Sequence, residues 1–230
     1  MMDELSLIQR IIVWFFPVVF AITVHEVAHG WVAKQYGDNT AYSLGRLTLN
    51  PIKHIDLVGT IIIPGILLIT GTGFIFGWAK PVPVDARYFK NPRTDMAIVA
   101  LAGPVSNLLM AGAWALLVRI GFIIGVEAIS LPLIYSGVAG IMINLVLASL
   151  NLIPIPPLDG SRIVTGVLPS YWAWRYNQLE RYGFIILLIL LSTNLLGVIL
   201  HYPIAILLKI FSLVAGISEQ QLYFIINFIS

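Results

Sequence analysis

Residues 11–29 read IIVWFFPVVFAITVHEVAH: fourteen positions without a charge, then two histidines and a glutamate within five. About 20 apolar residues, rising 1.5 Å each, span the ~30 Å hydrocarbon core of a bilayer. The run therefore predicts a membrane helix, from about Leu7 to Gln35, stopped by Gly37-Asp38. Its last third is polar in a way that membrane helices avoid. A lone glutamate at that depth costs a few kcal/mol unless it has a partner or work to do. Met1–Ser6 carries Asp3 and Glu4 instead of a basic start, and no small-residue cleavage site follows the run. It is thus expected to be retained and not removed as a signal peptide.

The rest of the chain repeats this pattern. Of its 230 residues 59% are hydrophobic and 10% charged, with mean hydropathy +0.93. A water-soluble domain is about a quarter charged, so the solvent is lipid. Further runs at 57–79, 96–126, 131–153 and 183–215 predict an all-α polytopic membrane protein. We read about five to six transmembrane helices in one membrane-embedded domain over 1–230. Helices are predicted over about 95–124, bent at Gly103-Pro104, and 132–152, ended by Pro154, Pro156 and Pro157. A span at 183–199 and another after Pro203 close the chain, while 160–182 reads as a polar, aromatic-rich connection. Residues 41–49 mix β-formers with a glycine, and Lys80-Pro-Val-Pro-Val84 is extended by its prolines. Both read as short β-like stretches at the membrane face. Cysteine is absent, which excludes disulfides, thiolate zinc sites and cysteine nucleophiles. A net charge of +2 with no basic and aromatic stripe excludes a nucleic-acid partner.

Basic residues orient the helices. Lys34, Arg46 and Lys53 follow the first; Lys80, Arg87, Lys90 and Arg93 precede 95–124; Arg162, Arg175 and Arg181 follow 132–152. The link between those last two helices has only Glu127. The positive-inside rule puts all three basic loops on the cytosolic side. Segment 57–79, basic at both ends, then cannot cross once. A re-entrant hairpin, broken at Pro64-Gly65 or Gly71–Gly73, satisfies the rule.

Two histidines four apart share a helix face and can grip one ion, and the glutamate between them can reach a water there. A catalytic zinc site takes three protein ligands and keeps one position open. His25 and His29 supply two. The remaining histidines, His54 and His201, read as loop or interfacial. Asp159 is the acid set in unusual backbone beside a span, in Asn151-Leu-Ile-Pro-Ile-Pro-Pro-Leu-Asp-Gly160. Irregular backbone at membrane depth is tolerated where it is buried in protein or lines a wet cavity, so Asp159 is the candidate third ligand. Gly160 is read as letting the chain turn away after it. His29 and Asp159 both lie toward C-terminal helix ends, so they meet only if those two helices run parallel.

On these residues the chain resembles the site-2 protease family of intramembrane metalloproteases. The resemblance rests on His25-Glu-Val-Ala-His29, on the Asn151, Pro154, Asp159 and Gly160 pattern, and on their order. Gly45-Arg-Leu-Thr-Leu-Asn-Pro51, Gly77-Trp-Ala-Lys-Pro-Val-Pro-Val84 and Ala102-Gly-Pro-Val-Ser-Asn107 are similar to stretches of its short bacterial and archaeal members. It implies one zinc ion on His25, His29 and Asp159, Glu26 as catalytic carboxylate, and an active site near the cytosolic face of a prokaryotic plasma membrane. It also implies transmembrane-helix protein substrates in contact with membrane lipid. The PDZ or CBS domain of many relatives has no room here. Asn151 matches the motif asparagine and is the first candidate for stabilising an oxyanion, with Asn107 and Asn144 as further substrate or oxyanion candidates. A different reading, a membrane transporter or metal-handling protein, would use the same His/Glu/Asp cluster as an ion pathway.

Overall fold

The computed structural model describes residues 5–70 and 77–229. The described helices are α1 (Leu7–Gln35), α2 (Thr40–Ser43), α3 (Ile63–Thr70), α4 (Pro92–Ile124), α5 (Glu127–Asn151), α6 (Asp159–Val167), α7 (Ser170–Asn177), α8 (Glu180–Ser192), α9 (Leu195–Ala215) and α10 (Glu219–Ile229). A 3-10 turn at Pro51–His54 and a π-helical stretch at Leu57–Ile62 precede α3. No strand occurs among the described residues.

α1 opens on a capping box: the Gln9 N–H donates to Ser6 Oγ, and the Ser6 N–H donates to Gln9 Oε1 at 2.9 Å. α4 closes at Gly125, whose φ of 66° is left-handed, and Val126 caps α5 directly after it. With only two residues between them, α4 and α5 form an antiparallel hairpin. Glycines bring them close: a Cβ on Gly137 would stand 2.5 Å from Val118 Cγ2, and one on Gly140 would overlap the Trp114 ring. Small residues do this work between membrane helices because lipid offers no hydrophobic drive for association. Of the stripe Gly137, Gly140, Asn144, Ala148 and Asn151, regular in the sequence at helical spacing, all but the half-buried Asn151 are buried. Val118, Val138, Ile141 and Leu145 form the core there, closed by Leu208 of α9 and Leu222 and Ile229 of α10. Phe15, Phe16, Leu109 and Ile123 face outward and exposed, as lipid-facing side chains must.

The C-terminal half of α1 meets the chain just past α5, so α1 and α5 run in the same sense and α4 runs against them. Residues 36–91 must therefore leave and return on one side. Their turning points are tied together. The Trp78 N–H donates to the Gly59 carbonyl at 3.0 Å and the Lys80 N–H to that of His54 at 2.9 Å, while Thr60 Oγ1 donates to the Trp78 carbonyl. This is the even number of crossings that the basic loops demand. The helix of 57–70 runs through Pro64-Gly65, so the break predicted there is absent. The alternative at Gly71–Gly73 lies outside the described residues.

Other expectations change. Four helices, α1, α4, α5 and α9, are long and apolar enough to span among the described residues, where five to six were predicted. The span read at 183–199 divides at Asn194, which is left-handed (φ 57°), leaving α8 with 13 residues. At ~1.5 Å per residue that is about 20 Å, short of the core thickness. The neighbouring span is α9, which continues through Pro203. Likewise α5 begins at Glu127, ahead of Pro132, and the 160–182 connection folds as α6 and α7. Residues 41–49 do not form a strand or hairpin. The buried Asp38 carboxylate accepts from the Thr40 N–H at 2.9 Å and from Thr40 Oγ1, which starts α2 as a helical turn. Residues 80–84 have no regular secondary structure and pair with no strand, for reasons that belong to the site.

Candidate metal centre

His25 and His29 project from one face of α1 with their rings edge to face, centroids 4.7 Å apart. Each is oriented through Nδ1. His25 Nδ1 lies 2.6 Å from Asn107 Oδ1 and His29 Nδ1 lies 2.8 Å from the Val99 carbonyl. Both partners are acceptors, so both Nδ1 atoms carry the proton and both Nε2 atoms present lone pairs. Those lone pairs face each other at 3.0 Å, and Asp159 Oδ2 stands 3.2 Å from each. Three acceptors thus converge with no donor among them, and Asp159 Oδ2 is buried without a hydrogen-bond partner.

Buried acceptors facing one another are costly unless a proton or a metal ion joins them. Four ligands at ~2.0–2.1 Å from zinc stand about 3.3 Å apart at the corners of a tetrahedron. The observed 3.0, 3.2 and 3.2 Å edges fit one face of it, so His25, His29 and Asp159 could hold this ion. The space is kept by Gly103 of α4, where a Cβ would come within 2.5 Å of His25 Cε1 and His29 Nε2. Asp159 begins α6 behind the proline-rich break. Gly160 is needed there for room: a Cβ would run into the Leu152 and Ile153 carbonyls. That differs from the turn predicted for it, and its backbone is not left-handed.

Glu26, together with His25, lines an apolar cavity of about 790 Å³ between α1, α5, α8 and the 51–60 and 77–79 stretches. Its Oε2 accepts the Val82 N–H at 2.7 Å. This explains the unpaired 80–84. The N–H groups of Lys80 and Val82 are spent on His54 and Glu26, Pro81 and Pro83 have none, and Arg46 Nη2 donates to the Lys80 and Pro81 carbonyls. Asn151 lines the same cavity and uses one amide donor on the Leu147 carbonyl, 3.0 Å away.

Asn107 and Asn144 are placed differently from the substrate-facing role expected of them. Both are fully buried behind His25 and joined to each other, Asn107 Nδ2 donating to Asn144 Oδ1 at 2.8 Å. His54, read as a loop histidine, is buried against the cavity, its Nε2 donating to the Thr48 carbonyl at 2.9 Å. The clue available in the sequence was its place directly before the apolar 57–79. His201 is exposed beside Tyr202 and takes no part in the cluster.

The sequence pattern of peptidase family M50 matches residues 120–193. The chain is 43% identical over 194 residues to the candidate zinc metalloprotease YwhC of Bacillus subtilis, covering 83% of this chain and 84% of that one. It is 29% identical to the candidate zinc metalloprotease Rip2 of Mycolicibacterium smegmatis, over 78% of this chain and 66% of that one. To MJ0611 of Methanocaldococcus jannaschii, also named as a candidate zinc metalloprotease, it is 34% identical over 65% and 66% of the two chains. No solved structure matches the chain significantly.

Proposed function

The chain belongs to peptidase family M50, the site-2 proteases, and from that premise we propose that it hydrolyses peptide bonds within or beside the transmembrane helices of membrane-anchored proteins. The observation that carries this reading is the convergence of His25, His29 and Asp159 beside an apolar cavity that His25, Glu26 and Asn151 line. We assign His25, His29 and Asp159 as the zinc ligands, Glu26 as the catalytic carboxylate, and Asn151 as the oxyanion donor, within one membrane-embedded domain over 1–230.

When bound, zinc supplies a Lewis acid for the scissile carbonyl and the attacking water. Glu26 takes a proton from that water as its oxygen bonds to the carbonyl carbon, and returns the proton to the nitrogen as the C–N bond breaks. Its second oxygen stays on the Val82 N–H, which fixes the carboxylate's direction. The free amide hydrogen of Asn151 Nδ2 donates to the carbonyl oxygen as it gains charge. Apolar walls exclude bulk water and accept apolar side chains, whereas a polar peptide bond enters only from an unwound stretch of helix.

The basic loops lie at the end of the bundle that holds the site, which supports a position near the cytosolic face of a prokaryotic plasma membrane. The chain has no cysteine, so single-cysteine variants can be labelled against no background. Lys34→Cys and Arg87→Cys should both react from the cytosolic side; reaction from opposite sides sinks the topology. The function is tested by Glu26→Gln with a membrane-anchored reporter. The variant should keep one zinc per chain and lose cleavage by about 10²–10⁴-fold. A variant that still cuts removes Glu26 from the catalytic role, whereas a wild type that does not cut, with metal flux in proteoliposomes that Glu26→Gln changes, favours a transporter instead.

A further inference from the structure

Behind His25 lies a chain of hydrogen bonds with one direction. The Gly140 carbonyl, inside α5, accepts from Asn144 Nδ2 at 2.8 Å. A carbonyl cannot donate, so Asn144 must turn its amide nitrogen that way and its Oδ1 the other. Oδ1 then accepts from Asn107 Nδ2 at 2.8 Å, and the same nitrogen is drawn by the Ala21 carbonyl at 3.2 Å. Asn107 Oδ1 is left facing His25, where it accepts from Nδ1 at 2.6 Å. Both asparagines are fully buried, so no water can substitute at any link.

We infer that Asn107 and Asn144 are positioning residues that fix the tautomer of His25, with the Gly140 carbonyl as the origin of the signal. An asparagine amide can hydrogen-bond either way round, and each way selects a different imidazole tautomer. With its nitrogen toward His25, Asn107 would require a lone pair on Nδ1 and place the proton on Nε2, where a metal ligand needs none. The relay forbids that state. It runs from α5 through α4 to α1, the three helices whose packing builds the site, so the ligand is set only when they are docked. His29 needs no such device, because its Nδ1 partner is a main-chain carbonyl that cannot flip.

The inference rests on His25 being a zinc ligand. The test is zinc affinity of the full-length protein in detergent, by chelator competition, with the visible bands of the cobalt(II)-loaded form as a second readout and melting temperature as a control. Asn107→Leu should weaken zinc by about 10- to 100-fold, as lost orienting partners of ligand histidines do. Asn107→Asp, which keeps an acceptor on Nδ1, should stay within about threefold of wild type. Asn144→Leu, which frees the Asn107 amide to turn, should fall between them with shifted cobalt bands. Wild-type zinc affinity and cobalt bands in a folded Asn107→Leu overturn the relay. If Asn107→Leu does not fold, the same result in Asn144→Leu overturns it. His25→Ala separates the two readings. Full zinc retained there removes the ligand assignment, whereas zinc lost there with unaffected asparagine variants removes the relay alone.

Discussion

The two walls of the cavity are built on different plans. The wall of α1 and α5 is held against α4 behind it by close glycine contacts and buried side-chain hydrogen bonds: Gly137 on Val118, Gly140 on Trp114, Asn107 on His25. The opposite wall, 51–60 with 77–82 and α8, is joined by a few main-chain bonds and apolar rings such as the Trp78–Phe184 pair at 5.9 Å. The proposed metal ligands His25 and His29 stand on the first wall. The Val82 N–H on Glu26 comes from the second. Holding an ion needs fixed geometry, whereas admitting an unwound chain needs a wall that can yield. Substitutions in the first should therefore act on zinc, and those in the second on turnover with zinc intact.

Gly103→Ala should have the largest effect. Its methyl falls between two imidazoles that α1 cannot move apart, so bound zinc and cleavage should both be lost; a zinc-loaded, active variant would break the contrast. Asn151→Ala, on the first wall but facing the cavity, should cut kcat by about 10²–10³-fold with zinc content unchanged. Val82→Pro removes the hydrogen bond to a carboxylate, worth about 1.5–3 kcal/mol, so kcat should fall roughly 10- to 100-fold. Zinc affinity measured beside it should not move, and a parallel loss of zinc would merge the two walls into one. Smallest is Thr60→Val, which loses the bond to the Trp78 carbonyl and the one its hydroxyl accepts from the Asp56 N–H, two exposed bonds of about 1 kcal/mol or less each. It should show as faster hydrogen exchange at Trp78 and little change in cleavage.

Legibility in the sequence follows the same division. His25 and His29 could be read because helical spacing alone brings positions four apart together. Asp159 could be read because three prolines left irregular backbone where lipid forbids it. The glycine and asparagine stripe of α5 was visible as a period, but which amide faced which partner depended on α4, which no local pattern encodes. His54 looked peripheral because its burial comes from residues over twenty positions later. Residues 41–49 looked like a hairpin because β-formers were counted while the Asp38 carboxylate that starts α2 was not. The division of 183–199 at Asn194 was hidden in a nearly continuous apolar run.

The bond from the Val82 N–H to Glu26 has a consequence for how this enzyme tolerates change. The donor is main chain, so no ordinary side-chain replacement removes it. In a saturation library, position 82 should accept apolar residues that fit its buried place against Gly30, while proline costs the roughly 10- to 100-fold in kcat given above. With proline already at 81 and 83, a single codon change of the most conservative local kind would complete a three-proline run and disarm the carboxylate. A neighbourhood already rich in proline would then hide a substitution that acts on Glu26 without replacing it.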